Sequence, residues 1–199
     1  MKNVNKLDFW EDIYKKDDIG WDLNGPTPTF EKIAPKLKPG KIIILGCGRG
    51  HDAITFAKFG FEVTAVDFAP SAIRYLKSLC IMKNVKVNII QNDIFLLGRS
   101  LNGYFDYVIE QTCYCAIDPN RRKQYERLIY RILKPDGCLI GLWYTIDNPF
   151  KIGGPPWGVS ISNLKDIFKK NWKIMEESFS ELSVEKRKKR EKLITFKKR

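Results

Sequence analysis

The sequence predicts a doubly wound α/β fold with a mostly parallel, seven-stranded sheet, and three observations carry that prediction. From about residue 40 onward, apolar runs of strand length alternate with amphipathic stretches of helix length. Repeated strand-then-helix order puts parallel strands in one sheet with helices on both faces. The first run, residues 41–45, is apolar and leads into glycines, the mark of a strand buried on both sides. A length of 199 residues suits one well-buried domain, so a single domain over 1–199 is expected, with an N-terminal segment at 1–30 and a basic segment at 185–199.

Each element follows from local chemistry. After the first strand, residues 51–59 read as a helix with Ala53, Ile54, Phe56 and Ala57 on its apolar face. Residues 61–66 form the second strand. A helix over 70–80 opens at Pro70, whose missing N–H costs nothing in a first turn. Residues 85–90 and 104–109 are the third and fourth strands. A longer helix over 118–133 is stopped by Lys134-Pro135-Asp136-Gly137, a strong turn signal. Residues 138–144 are the fifth strand, and the Pro- and Gly-rich stretch 145–158 is an irregular excursion. A last helix over 160–170 and closing strands over 172–179 and 192–197 complete the pattern.

Composition narrows the classes. No apolar run approaches the roughly 20 residues of a membrane span, and the first residues lack the apolar stretch of a signal peptide, so a cytoplasmic protein with no membrane partner is expected. The five cysteines are scattered, without ligand spacing, and read as reduced thiols; no metal site is expected. Of the net charge of +12, residues 165–199 contribute +7, much of it in Lys186-Arg187-Lys188-Lys189-Arg190. Aromatic interleaving is missing there, so this run reads as a solvated face rather than a nucleic-acid site. A compact monomer is the default.

Sheets of this class bind ligands at the carboxyl ends of their strands. There the sequence places Gly46-Cys47-Gly48-Arg49-Gly50, then Asp67, then Asp93, then Glu110 and Gln111. Gly46 and Gly48 let backbone approach a ligand closely. Asp67, 21 residues after Gly46, stands where a carboxylate accepts ribose hydroxyls, a feature common to nicotinamide and S-adenosylmethionine proteins. The third glycine falls one residue early for the nicotinamide fingerprint. Asp93 suits an adenine amino group, with Phe68 and Ile94 to sandwich the ring. The plainer role of each Asp is a turn or helix cap. His51, the only histidine, reads as a cap or supporting residue rather than a base.

These residues resemble the thiopurine S-methyltransferase family, and more particularly its thiol, thiocyanate and halide methyltransferase branch. The likeness rests on Leu45-Gly46-Cys47-Gly48-Arg49-Gly50-His51-Asp52 and Val66-Asp67-Phe68-Ala69-Pro70-Ser71-Ala72-Ile73. It continues in Trp10-Glu11, Trp21-Asp22 and Gly25-Pro26-Thr27-Pro28, then Cys115-Ala116-Ile117-Asp118-Pro119, Leu133-Lys134-Pro135-Asp136-Gly137 and Gly153-Gly154-Pro155-Pro156-Trp157. It covers roughly residues 8 to 170. The resemblance implies S-adenosylmethionine as co-substrate, and an N-terminal segment whose aromatics, Trp10 and Trp21, close over it. Tyr14 stands where plant members carry a further Trp. It also implies cofactor contacts at Gly46, Asp67, Asp93, Ile94 and Gln111; Gln111 departs from the residue type of some members, which leaves it a backbone contact.

The reaction expected is an in-line methyl transfer to a small-molecule acceptor, a thiol, sulfide, thiocyanate or halide, catalysed by proximity and water exclusion. Trp157, Arg122 and Tyr114 are the acceptor-pocket candidates. The resemblance implies that Arg122, matching an arginine near an anionic acceptor in some members, holds an anion or lowers a thiol pKa; the plainer reading is a solvated side chain paired with Glu126. Other methyl acceptors, including nucleic acid, are the first rival; Glu110-Gln111-Thr112-Cys113 lacks the Asn/Asp-Pro-Pro-aromatic grip of amino-methylating enzymes. A nicotinamide oxidoreductase and a non-catalytic cofactor-binding module are the rivals from other classes.

Overall fold

The structure is a computed structural model that describes residues 4–147 and 153–199. Two compact units follow one another in the chain, Met1–Leu97 and Gly98–Arg199. A seven-stranded sheet runs through the fold; the first unit contributes the run β3-β2-β1 and the second the run β4-β5-β7-β6.

In the first unit, α1 (Leu7–Lys15) and α2 (Pro28–Ile33) precede β1 (Lys41–Leu45), α3 (His51–Lys58), β2 (Glu62–Asp67), α4 (Pro70–Lys83) and β3 (Asn88–Gln91). The three strands are parallel, with Leu45 opposite Val66 and Asp67 opposite Gln91. Ile42, Ile43 and Leu45 are buried, as an all-apolar central strand requires. Helix α4 outruns its expected end by three residues. It stops where Asn84 adopts the left-handed conformation, a common helix terminator (φ 50°). β3 is correspondingly shorter than expected at its start, because the Val85 N–H donates to the Cys80 carbonyl and closes the helix.

The second unit holds β4 (Phe105–Gln111), α5 (Arg122–Ile132), β5 (Leu133–Tyr144), α6 (Ile161–Phe168), β6 (Trp172–Phe179) and β7 (Glu191–Lys198). β4 and β5 are parallel, while β7 is antiparallel to both β5 and β6. The sheet is thus mixed, though mostly parallel. Lys134-Pro135-Asp136-Gly137, expected as a turn before the fifth strand, bulges within β5: pairing passes from Phe105–Leu133 straight to Tyr107–Cys138. The expected helix over 118–133 opens as a 3₁₀ turn, Pro119–Arg121, whose Asn120 N–H is capped by Asp118 at 2.9 Å. Trp143, Phe168, Trp172 and Phe196 form the aromatic core, Phe168 stacked on Phe196 at 4.8 Å. Of the excursion over 145–158, residues 148–152 lie outside the described residues; Ile146 bridges Val159. Among the described residues no helix is long and apolar enough to cross a membrane.

Candidate active site

The first unit builds a backbone cradle at the end of β1. Gly48 adopts φ 54°, and a Cβ there would stand 3.0 Å from the Tyr14 hydroxyl. Gly50 adopts φ 77° at the start of α3, where a Cβ would drive into Leu76 at 2.3 Å. Both positions therefore demand glycine, one to admit Tyr14 and the other to seat α3 on α4. Asp67, at the end of β2, reaches across: Oδ2 accepts the Gly48 N–H at 2.9 Å and Oδ1 the Ala69 N–H at 3.0 Å. Burial raises its carboxyl above the usual range, against the pull of backbone N–H groups of Ala69, Gly48 and Phe68. Asp67 thus fastens the glycine loop and keeps acceptor capacity for a further donor.

Asp93 fills the capping role: its Oδ1 accepts the Phe95 N–H at 2.9 Å at the head of a 3₁₀ turn, Ile94–Leu96. Phe68 is half-buried and Ile94 buried.

The N-terminal aromatics come together. Trp21 packs edge-on against Trp10 at 5.8 Å and Tyr14 at 5.9 Å. Helix α1 supplies Trp10 and Tyr14 from one face, as their four-residue spacing requires. Burial and the nearby Asp67 and Cys47 push the Tyr14 phenol upward, so it stays protonated and can donate.

Carboxylates to which the sequence assigns no role hold this segment down, Glu11, Asp22 and Asp52 being known from it only as parts of the family motifs. Glu11 is buried and accepts the Ser71 N–H at 2.8 Å and its hydroxyl at 2.7 Å, capping α4 from outside. Asp52 accepts the Thr27 N–H at 2.7 Å and its hydroxyl at 2.9 Å. Burial raises Asp52 to about 6. Arg49 binds Asp17 at 2.6 Å and lies 3.5 Å from Asp22. His51 Nε2 also lies 3.5 Å from Asp22.

The second unit gathers the acceptor candidates. Glu110 and Gln111, expected after the fourth strand, are its last two residues. The chain then turns through Thr112, a left-handed residue (φ 58°), into a 3₁₀ turn, Tyr114–Ala116. Glu110 Oε1 accepts the N–H groups of Cys113 at 3.0 Å and Tyr114 at 2.8 Å, and Oε2 takes the Tyr125 hydroxyl. Burial raises Glu110 to about 7 against these donors. The Arg122 guanidinium lies 4.6 Å over the Tyr114 ring and donates from Nη1 to the Gly158 carbonyl at 2.8 Å. Its Nε and Nη2 are buried without a hydrogen-bond partner among the described residues. Pairing with Glu126 does not occur, because Glu126 instead accepts the Trp172 indole N–H at 2.7 Å. Trp157 is buried, its N–H held by the Cys115 carbonyl at 2.8 Å and its indole lying over Gly154, where a Cβ would sit 2.6 Å from the ring. The Gln111 amide nitrogen is buried and unpartnered among the described residues.

The five cysteines are free. Burial and the nearby Glu110 push Cys115 up to about 12, against Arg122 and Arg187, so it is a poor nucleophile. Arg187 differs from the expected solvated run: it is 7% exposed and pairs with buried Glu191 at 3.3 Å, while its neighbours Lys186 and Lys188 to Arg190 are exposed. Among the described residues no cluster of three metal-ligating side chains is present.

Comparison with known proteins agrees with this architecture. The family profile described as Thiopurine S-methyltransferase (TPMT) matches residues 5–199. The chain is 30% identical over 203 residues to a probable thiol methyltransferase 2 of Arabidopsis thaliana, covering 100% of this chain and 88% of that one. It is 30% identical over 193 residues to thiocyanate methyltransferase 1 of Brassica oleracea, covering 95% and 84%. Its fold is that of a 1,6-didemethyltoxoflavin-N1-methyltransferase of Burkholderia thailandensis, solved with S-adenosylhomocysteine: TM-score 0.79, 18% identity, 98% of this chain and 87% of that one.

Proposed function

The chain belongs to the thiopurine S-methyltransferase family, and we propose that it moves a methyl group from S-adenosylmethionine to a small anionic nucleophile: a thiolate, sulfide, thiocyanate or halide. The observation that carries the anionic acceptor is Arg122. Nε and Nη2 of this half-buried guanidinium are themselves buried and have no hydrogen-bond partner among the described residues, which is costly unless something arrives to accept from them. A small anion accepts from these groups and balances the charge.

The donor, when bound, supplies an electrophilic methyl group on a sulfonium. The residues present fit it: a loop with glycine where side chains are excluded, a carboxylate with acceptor capacity beside it, and an aromatic cluster. In this reading Gly46 and Gly48 lie against the donor, Asp67 accepts its ribose hydroxyls, and Asp93, Phe68 and Ile94 receive the adenine. Gln111 contributes a backbone contact. Trp10, Tyr14 and Trp21 cover the donor and exclude water, and an aromatic face attracts a sulfonium by cation–π interaction. Arg122 and Tyr114 hold the acceptor and Trp157 walls it. No general base is required for an acceptor that is already an anion, so orientation carries the rate. The proposal includes a cytoplasmic monomer, which light scattering on the purified protein checks in part.

Calorimetric titration with S-adenosylhomocysteine, with NADH in parallel, tests the donor; a panel of hydrosulfide, thiols, thiocyanate and iodide tests the acceptor. Binding of the homocysteine product without NADH, followed by methylation of at least one anion, is expected. NADH binding in its place would overturn the proposal.

A further inference from the structure

Glu110 has no part in the reaction as argued so far, yet it is a carboxyl only 2% exposed. A buried carboxyl persists where several donors converge on it, and here three do. We propose that Glu110 is the positioning residue of the acceptor pocket: by gathering the Cys113 and Tyr114 N–H groups and the Tyr125 hydroxyl, it fixes the turn that arranges Tyr114, Arg122 and Trp157 for a small anion. The inference rests on the acceptor reading given above.

The connections run outward from one side chain. Oε1 ties down the start of the turn at Cys113 and Tyr114, just past left-handed Thr112. The same turn carries the Tyr114 ring that supports the Arg122 guanidinium at 4.6 Å. One residue further, the Cys115 carbonyl holds the Trp157 N–H at 2.8 Å. Arg122 closes the circuit through the Gly158 carbonyl, one residue beyond Trp157. All three candidate acceptor residues thus depend on a turn whose anchor is Glu110.

The anchor works in both protonation states. As a carboxylate it accepts from all three donors. As a neutral acid, Oε1 still accepts both N–H groups, while the Oε2 hydroxyl donates to the Tyr125 oxygen. The titratable groups facing it are Tyr125 from α5 and Tyr114 and Cys115 from the turn. All three are pushed upward and stay neutral, so Glu110 alone among them changes charge near neutrality. The geometry therefore persists across that range while the local charge does not, and an anion binds more tightly when Glu110 is protonated.

Thiocyanate is the probe, since it stays anionic throughout. S-Adenosylhomocysteine affinity is measured first on each protein; the saturated complex is then titrated with thiocyanate from about pH 5.5 to about pH 8.5. Wild type is expected to lose affinity as pH rises through neutrality. Glu110→Gln, which keeps the acceptor oxygen and cannot ionise, is expected to match wild type at the acid end and show no pH course. Glu110→Ala is expected to bind thiocyanate about tenfold more weakly at every pH, with unchanged S-adenosylhomocysteine affinity. Tyr125→Phe removes one donor and is expected to move the inflection to higher pH, which keeps the inference testable should the Ala variant not fold. Wild-type affinity and pH course in folded Glu110→Gln and Tyr125→Phe would overturn the inference. A wild type that binds S-adenosylhomocysteine but no anion would overturn the acceptor reading itself.

Discussion

Asp67 spends both carboxylate oxygens on its own backbone before any ligand arrives, and that double duty shapes what its removal does. Asp67→Ala takes away the partner of the Gly48 N–H as well as a charged acceptor. S-Adenosylhomocysteine affinity should fall by about 1–3 kcal/mol; calorimetry that finds it unchanged would remove Asp67 from the donor site. Arg122 gives the opposite balance between stability and function. Its Nε and Nη2 are buried without a partner among the described residues, so Arg122→Met should leave Tm unchanged or higher while raising the acceptor KM by about tenfold or more. A lower Tm with an unchanged KM would make Arg122 a structural strut.

At the scale of elements, the informative unit is the N-terminal segment and the helices it is fastened to. Glu11 joins α1 to α4, Asp52 of α3 holds Thr27 at the head of α2, and Asp22 lies against Arg49 and His51. These fastenings respond to pH with opposite signs. Glu11 is lowered: burial raises it, but the Ser71 hydrogen bonds and the charges of Lys15 and Arg74 outweigh burial. Its contribution is present above the ordinary carboxylate range and lost as pH falls through its folded value. Asp52 is raised to about 6, so the folded state holds its proton longer than the unfolded chain does. Stability from Asp52 is greatest below the ordinary carboxylate value and declines as pH climbs to about 6. Asp52→Asn should therefore raise Tm relative to wild type at pH 7 and lose that advantage by about pH 4; thermal melts at the two pH values check the sign.

At the scale of the molecule, the strand-and-helix alternation was legible because buried parallel strands are written as uninterrupted apolar runs such as Ile42-Ile43-Ile44-Leu45. Residues 172–179 were read to the residue as a strand. What escaped notice was long-range. Glu11 and Ser71 are 60 positions apart, and nothing local marks either as the other's partner. Arg187 sits in a basic run whose other members are exposed, and its partners inside, Glu191 among them, are not marked by anything in that run. In the sequence Glu110 stands out only at a strand end and by the motif it lacks, since its three donors converge only when the turn is folded. β7 lies between β5 and β6 and pairs with both. A chain ending before Glu191 should accordingly lose cooperative melting of its second unit, by circular dichroism, and aggregate through two bared strand edges. The same placement governs how the protein is made. β5 and β6 leave the ribosome before the strand that joins them, so this half of the sheet stays open until residue 198 has been added and has cleared the exit tunnel. The first unit, whose strands β1 to β3 neighbour one another in the order of synthesis, can close while translation continues. Nascent chains thus carry β5 and β6 without their shared neighbour until Glu191–Lys198 has emerged, an interval in which chaperones and proteases find two open strand edges.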